Sequence, residues 1–298
     1  MGKVLNWIAS AVSGLLIAGL AIVGFSNVIK ANVASSYPEW MKEIPDETPI
    51  REVNMPGTHD SAAIYGLADL AGQCQSLSIE DQLNIGVRFL DIRLQIRATK
   101  LHAVHGMVDQ KLPFKDIVST VDGFLKKHPS EFLIVSVKED ASAQNQHATF
   151  EGALKAEITS SWRTEETLPA TVGEARGKAV LLSRYANSTI GIPAYEGWKD
   201  SASFTLPNDI YVQDTYKTDV ETKKSQITSC FNEAGHALKI NFLSGYSPSG
   251  FPPSYAPSIA RGINPWIDEE IAKYNDRGIV LYDFVTTAHM DAFFRRTN

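Results

Sequence analysis

The sequence comprises 298 residues, of which 44% are hydrophobic and 21% are charged. This composition is that of a folded globular protein and excludes disordered, collagen-like and coiled-coil chains. The net charge of -6 provides no uniform positive field, so we expect no nucleic-acid partner and infer that any phosphate chemistry uses individually placed cations. Cys74 and Cys230 are too few for a disulfide framework and lack metal-ligand spacing. They form either one bridge or, as we favour, two buried free thiols.

The N-terminal segment is strongly apolar. Residues 4–29 carry no charge and are flanked by Lys3 and Lys30. This run exceeds both the roughly 20 residues that cross a bilayer and the roughly 7–15 residues of a signal-peptide core. We predict that residues 1–34 form a hydrophobic helix, either a transmembrane anchor or a signal peptide cleaved near Ala31 or Ala34. A buried core helix would normally show a polar face, which this run lacks. The anchor and the signal both place the remaining chain outside the cytoplasm, secreted or membrane-anchored.

Residues 35–298 contain no repeat or low-complexity tract and are predicted to form one domain. Eight short apolar runs predict strands, at residues 51–55, 89–95, 101–105, 132–138, 179–183, 210–213, 238–242 and 278–284. Five periodic segments predict helices, at residues 78–84, 113–127, 147–162, 219–237 and 265–275. Ser78 is a predicted N-cap, and Pro113 lies near a first turn. The alternation favours an α/β fold with a closed (β/α)8 barrel of TIM type; a doubly wound sheet is the alternative.

In such a barrel the active site forms at the carboxyl ends of the strands. Most of the predicted strands end in ionisable side chains, within residues 56–60, 91–93, 102–106, 136–139, 183–185, 213–216 and 282–284. The run that ends near Asn241 and Phe242 lacks an obvious ionisable group. Charges that converge on one mouth are costly unless they serve a ligand, so together they predict a functional site.

The residue types limit the chemistry of this site. Paired histidines with carboxylate partners suit general acid–base catalysis near neutral pH. The planar guanidinium of Arg93 suits a phosphoryl group without need of a metal there. Lys138, Arg184 and Asp214, with the aromatic Tyr216, suit a polyhydroxylated ring that needs hydrogen bonds and a stacking surface. The combination indicates a phosphodiester attached to a sugar-like polyol.

Five segments in order resemble the bacterial-type, metal-independent phosphatidylinositol-specific phospholipases C of the X-domain family. They are PGTHD at residues 56–60, GVRFLDIR at 86–93, VHG at 104–106, SVKE at 136–139 and VQDTYK at 212–217. The resemblance extends over about residues 40–294. It implies a distorted (β/α)8 barrel over residues 35–298 that acts on phosphatidylinositol in membranes.

The resemblance also implies roles for single residues. His59 resembles the general base that takes the proton from the inositol 2-hydroxyl, oriented by Asp283. His105 resembles the general acid that protonates the leaving diacylglycerol oxygen, with Asp60 as its carboxylate partner. Arg93 stands where calcium-dependent relatives carry an acidic metal ligand, so we expect no metal and no cofactor. The family's inositol-binding positions are matched by four residues, Lys138, Arg184, Asp214 and Tyr216.

The implied products are diacylglycerol and inositol 1,2-cyclic phosphate, which is then slowly hydrolysed. Glycosyl-phosphatidylinositol anchors are further candidate substrates, and inositols phosphorylated at positions 4 and 5 are expected to be poor ones. The loop at residues 245–255, with Phe251, is expected to contact the membrane surface; a plain packed loop is the alternative. We expect the chain to act as a monomer.

Two other functions remain open at this point. A metal-dependent phosphodiesterase on the same barrel would use His59, Asp91, His102 and His105 as ligands. However, His102 and His105 are three residues apart in a predicted strand and so point to opposite faces. A catalytically silent, membrane-tethered module that binds inositol lipids would have no need of the histidines and carboxylates.

Overall fold

Strands and helices alternate along the chain, as the sequence pattern predicts. The structure, a computed structural model, describes residues 36–66, 72–141, 148–247 and 255–295, all within one compact unit. The predicted anchor or signal at residues 1–34 lies outside the described residues. No helix within the described ranges is long and apolar enough to cross a bilayer.

Twelve strands are described: β1 Met55–Thr58, β2 Phe89–Arg97, β3 Lys100–His105, β4 Val108–Pro113, β5 Leu133–Glu139, β6 Trp162–Arg163, β7 Ala179–Arg184, β8 Ile192–Pro193, β9 Ser203–Thr205, β10 Ile210–Gln213, β11 Leu238–Phe242 and β12 Ile279–Tyr282. The helices in the same ranges are α1 Ile79–Ile85, α2 Phe114–Lys127, α3 Phe150–Glu157, α4 Val172–Ala175, α5 Val220–Asn232, α6 Ala256–Glu270 and α7 Thr287–Phe294. Short 3-10 helices lie at Trp40–Glu43, Ile50–Glu52 and Ile271–Lys273.

The main sheet is curled and runs in the order β6-β7-β5-β2-β1-β12-β11-β10-β9. Its central strands are parallel, and β9 is antiparallel to β10. The two-residue strands β6 and β8 pair with opposite ends of β7. Within the described residues, no strand pairing joins β6 or β8 to β9. We call this gap the seam; it makes the predicted α/β barrel a distorted, incompletely closed one.

The run at residues 101–105 is not a barrel strand, contrary to the prediction. It forms β3, which pairs antiparallel with the last four residues of β2 and with β4. The cause is the length of β2, because its nine residues extend beyond the parallel partner β5. The resulting hairpin stands above the strand ends and carries His105.

Other boundaries also differ from the sequence prediction. The first predicted strand begins as a 3-10 helix, and β1 instead starts at Met55. A Cβ at Gly57 would lie 2.8 Å from Phe89 Cβ, so glycine allows β1 to approach β2 closely. Thr149 caps α3, which is therefore shorter than predicted, and Thr286 begins α7, which the sequence pattern did not predict. The Ser78 cap of α1 is confirmed.

Alternate strand residues pack into two apolar layers. The inner layer, enclosed by the curled sheet, includes Phe89, Ile134, Leu182, Phe242 and Leu281. The following or preceding residues in the same strands pack outward against the helices. Strand side chains alternate with a period of two. The inward-pointing residues that follow the inner layer therefore all face the same end of the barrel, which we call the mouth.

Candidate active site

Three cations form a row across neighbouring strands at this mouth. In β2, Arg93 lies four residues after the inner-layer Phe89 and therefore points inward. The parallel register places Arg93 opposite Lys138 of β5, and Lys138 opposite Arg184 of β7. The strand register thus sets the three cations at one level without help from any loop.

The mouth contains a cavity of about 720 Å³. Seven of the residues predicted from the sequence line it: His59, Arg93, His105, Lys138, Arg184, Asp214 and Tyr216. The two remaining ones, Asp60 and Asp283, are buried behind the histidines. The structure therefore brings all nine predicted residues together.

His59 is held at both ring nitrogens. Its Nδ1 lies 2.8 Å from Oδ1 of Asp283, and its Nε2 lies 2.8 Å from Nη2 of Arg93. Since Arg93 can only donate, Nε2 is the acceptor and the proton resides on Nδ1. Gln75 anchors the backbone by donating to the carbonyl oxygens of His59 and Tyr282. The arrangement fixes the neutral tautomer in which Nε2 can accept a proton.

His105 and Asp60 form a second pair on the other side of Arg93. Nδ1 of His105 lies 3.3 Å from Oδ2 of Asp60. Burial raises the pKa of Asp60 to about 7, although Arg93 and His59 act in the opposite direction. Burial, and then the charge of Arg93, lowers the pKa of His105. Each of these pKa shifts favours the uncharged form of its group.

Carboxylates surround Arg93. Its Nε lies 3.2 Å from Asp91 Oδ2 and 3.7 Å from Asp60 Oδ2, and its Nη1 lies 3.8 Å from Asp140 Oδ1. Burial would lower the pKa of Arg93, but Asp91, Asp60 and Asp140 outweigh it and raise the pKa further above its usual value. The guanidinium is thus a permanent, fixed positive charge.

The sequence analysis did not predict that Asp91 and Asp140 hold the cations of the site. Asp91 bridges two cations, since its Oδ1 also accepts from Arg184 at 2.9 Å. Asp140 accepts from Lys138 at 2.5 Å and from the Gly106 backbone N–H at 2.8 Å. Asp140 thereby ties β5 to the hairpin that carries His105. The strand-end signal included Asp91, whereas Asp140 follows the last strand residue and gave no separate signal.

Aromatic side chains form the opposite wall. The guanidinium carbon of Arg184 lies 3.6 Å from the ring centroid of Trp198, whose Nε1 donates to Asp214 Oδ2 at 3.0 Å. The ring of Phe242 packs against both Trp198 and His59, with centroid separations of 6.2 Å and 6.0 Å. The β11 strand, which lacked an ionisable end, thus supplies an apolar side chain that packs against Trp198 and His59. Trp198 was missed because it lies in an irregular segment between β8 and β9.

Tyr216 lies at the outer rim. Its hydroxyl donates to Asp200, and its ring centroid is 5.8 Å from that of Tyr246. Burial, reinforced by Asp200, raises the pKa of Tyr216 to about 12. The loop predicted to contact a membrane includes residues 248–254, and Phe251 therefore lies outside the described residues.

The structure does not assemble the ligand set of the metal-dependent alternative within the described residues. His102 is not among the described residues that line the cavity. The described groups with ligand atoms close enough for one ion are His59, Cys74 and Asp283, and Asp60, Cys74 and His105. Cys74 and Cys230 are both buried free thiols.

Known proteins resemble this chain over most of its length. Residues 55–185 match the family model described as phosphatidylinositol-specific phospholipase C, X domain. A 1-phosphatidylinositol phosphodiesterase of Listeria monocytogenes is 28% identical over 264 residues, covering 83% of this chain and 80% of the relative. One from Staphylococcus aureus is 28% identical over 274 residues, covering 81% of this chain and 84% of the relative.

Solved structures show the same fold. A double mutant of the phosphatidylinositol-specific phospholipase C from S. aureus superposes with a TM-score of 0.77 at 23% identity, covering 88% of this chain and 98% of that one. The enzyme from L. monocytogenes gives a TM-score of 0.72 at 23% identity, covering 88% and 99%. The predicted α/β barrel is thereby confirmed.

Proposed function

We propose that this chain is a phosphatidylinositol diacylglycerol-lyase, because residues 55–185 match the X domain of phosphatidylinositol-specific phospholipases C and the similar curated proteins are 1-phosphatidylinositol phosphodiesterases. It cleaves phosphatidylinositol to diacylglycerol and inositol 1,2-cyclic phosphate. One observation carries the proposal. Two histidines, each with a buried carboxylate partner, flank one fixed guanidinium in a single cavity.

The first step is intramolecular attack. Nε2 of His59 takes the proton from the inositol 2-hydroxyl, and the freed oxygen attacks the adjacent phosphorus. Asp283, 2.8 Å from Nδ1, stabilises the imidazolium that forms. A nucleophile held on the same ring has a large effective concentration, so the enzyme need not activate water first.

The second group completes the reaction. His105 gives a proton to the diacylglycerol oxygen as its bond to phosphorus breaks, and Asp60 supports the ring from Nδ1. Slow hydrolysis of the cyclic product follows with the two histidine roles reversed.

Arg93 stabilises the charge that develops on the phosphoryl oxygens. In the free enzyme its Nη2 donates to His59, and a bound phosphate replaces that acceptor. The fixed positive charge of Arg93 supplies the stabilisation that a bound cation supplies elsewhere, so the proposed reaction needs no metal.

The aromatic wall and the cationic row bind the inositol. Lys138, Arg184 and Asp214 provide donors and acceptors for ring hydroxyls, and Tyr216 offers a flat surface at the rim. Trp198 adds a second flat surface and orients Arg184 and Asp214. We expect substituted inositols such as glycosyl-phosphatidylinositol anchors to extend past Tyr216.

The substrate is a lipid, so the mouth must meet a membrane surface. Met107 at the tip of the β3–β4 hairpin is fully exposed, and Tyr195, which lines the cavity, is 49% exposed. Tyr195 lies at the cavity and Met107 lies two residues after His105, and exposed side chains of this kind suit contact with lipid. We place the enzyme outside the cytoplasm, secreted or anchored by residues 1–34, and active as a monomer.

Phosphorus NMR of the full chain with phosphatidylinositol vesicles in EDTA tests the proposal. The wild type is expected to give the cyclic phosphodiester signal, and His59→Ala is expected to give none. Turnover only after calcium is restored would favour a metal-dependent phosphodiesterase. Vesicle binding without any product would favour an inositol-lipid-binding module.

A further inference from the structure

A cysteine lies between the two histidine pairs. Sγ of Cys74 is 3.7 Å from Nδ1 of His105, and both residues line the cavity. The Cys74 backbone is fixed at both polar atoms, since its N–H donates to Ala63 O and its carbonyl accepts from Phe284 N–H. The thiol therefore has a fixed position in the cavity wall, although the proposed reaction gives it no role.

The neighbouring carboxylate is unsatisfied. Asp60 is 1% exposed, and neither of its carboxylate oxygens has a hydrogen-bond partner in the described part of the chain. A buried carboxylate without donors is costly. Since its Oδ2 faces Nδ1 of His105 at 3.3 Å, the carboxylate is aimed at the same point as the thiol.

Two of the three separations between these atoms are close to those of a metal site. Metal–ligand bonds of about 2.0–2.3 Å at tetrahedral angles place ligand atoms about 3.3–3.6 Å apart. The observed separations are 3.7 Å between sulfur and nitrogen and 3.3 Å between nitrogen and oxygen. All three ligand atoms lie within 4.8 Å of one another.

We propose that Cys74, His105 and Asp60 form an inhibitory site for Zn²⁺ or another soft divalent cation, with the fourth position open to the cavity. A thiolate, an imidazole and a carboxylate suit zinc, whereas calcium and magnesium prefer oxygen ligands alone. On binding, the metal takes the place of the proton on Cys74 Sγ and of the proton on Nδ1 of the His105 imidazolium, and both protons pass to the solvent.

The alternative trio of His59, Cys74 and Asp283 is the weaker site. His59 and Asp283 already form a 2.8 Å hydrogen bond, and Arg93 occupies Nε2 of His59. At Asp60 neither carboxylate oxygen has a hydrogen-bond partner in the described chain, whereas at Asp283 only Oδ2 lacks one.

Occupation of this site stops the proposed reaction at its second step, and in this respect the inference rests on the proposed function. A metal on Nδ1 separates His105 from Asp60 and replaces the proton that makes the ring an imidazolium acid. The enzyme is then metal-independent in catalysis yet inhibited by a soft metal.

Direct binding is measured first, without substrate. Cd²⁺ titrated into the chelator-stripped full chain is expected to give an ultraviolet cadmium–thiolate absorption that saturates at one ion per chain. The absorption is expected to persist in Cys230→Ser, which changes the other buried thiol, and to be lost in Cys74→Ser. A wild type without the absorption overturns the proposal, as does its loss in Cys230→Ser alone.

Inhibition is measured second, with phosphatidylinositol vesicles and added Zn²⁺, Ca²⁺ or Mg²⁺. Only Zn²⁺ is expected to inhibit, and its half-inhibiting concentration is expected to rise at least about tenfold in Cys74→Ser. Equal Zn²⁺ sensitivity in a Cys74→Ser protein that melts as the wild type does overturns the inhibitory role. A cadmium band in a chain that cleaves no phosphatidylinositol supports the site and overturns only the proposed function.

Discussion

Nη2 of Arg93 lies 2.8 Å from Nε2 of His59, so the proposed phosphate-binding cation and the proposed base share one hydrogen bond before substrate enters. The same guanidinium lies 3.2 Å from Asp91 through Nε. Because these contacts leave from different nitrogens of one rigid plane, Arg93 is aligned toward the place where the phosphate must lie.

Replacement of Arg93 by lysine tests this alignment. A single ammonium cannot pair with Asp91 and donate to the phosphate in the same geometry, so we expect kcat to fall by about 10²–10³-fold. Cleavage of a soluble inositol phosphodiester measures the loss. Activity within a few-fold of the wild type would show that only the charge is needed.

The contribution of His105 to the rate is expected to depend on how basic the leaving group is. His105→Ala should lower the turnover of phosphatidylinositol by about 10²–10⁴-fold, because an alkoxide needs a proton to leave. A p-nitrophenyl inositol phosphate, whose phenolate leaves unprotonated, should largely escape this loss. His59→Ala is the control, since loss of the base should impair both substrates; equal losses in His105→Ala would contradict the acid role.

Trp198 is expected to position the inositol-binding groups. Trp198→Phe keeps an aromatic ring near Arg184 but removes the Nε1 donor to Asp214, so we expect KM for a soluble inositol phosphodiester to rise with little change in kcat. Trp198→Ala also removes the contact with Arg184 and should raise KM further. Unchanged KM in both variants would show that the wall does not bind the ring.

The fold depends on a buried ion pair far from the chemistry. Arg88 and Glu131 are both 0% exposed, with Nη2 and Oε2 2.8 Å apart. Glu131→Gln leaves the Arg88 charge without its partner and should lower the free energy of unfolding by about 3–5 kcal/mol. Urea denaturation measures the change. The exposed Glu165, which pairs with Arg163, is the matched control, and Glu165→Gln should cost less than about 1 kcal/mol.

Asp268 is expected to make stability depend on pH. Burial raises its pKa to about 7, despite the opposing charge of Arg295. The unfolded state releases this proton near pH 4, whereas the folded state keeps it until about pH 7, so the wild type loses stability across that window. Asp268→Asn should therefore melt higher than the wild type at pH 8 and about equally at pH 4. Glu269→Gln, at an exposed neighbour, should show no such difference.

The sequence predicts the site best where strands alone build it. Arg93, Lys138 and Arg184 end short apolar runs, and parallel register then places them side by side. The period of two that marks a run as a strand also decides which side chains point inward. Local pattern and three-dimensional position coincide at these residues.

Prediction failed where contacts between distant segments decide the structure. The β3 run looks like any other apolar strand, and only the excess length of β2 moves it out of the barrel. Asp140 gains its place through Gly106, and Trp198 through Arg184 and Asp214. No periodicity precedes these residues, because their positions depend on partners distant in sequence.

The seam, where neither β6 nor β8 pairs with β9 in the described chain, is bridged at the mouth by a side chain. Arg184 is the last residue of β7, Asp214 follows β10, and the indole of Trp198 contacts both. Backbone hydrogen bonds between paired strands fix the spacing of the other walls of the cavity. Here the indole of Trp198 sets the distance between Arg184 and Asp214. Substitution of Trp198 can therefore change which sugar ring is preferred without altering the hydrogen bonds between the strands. At this position specificity can evolve separately from folding.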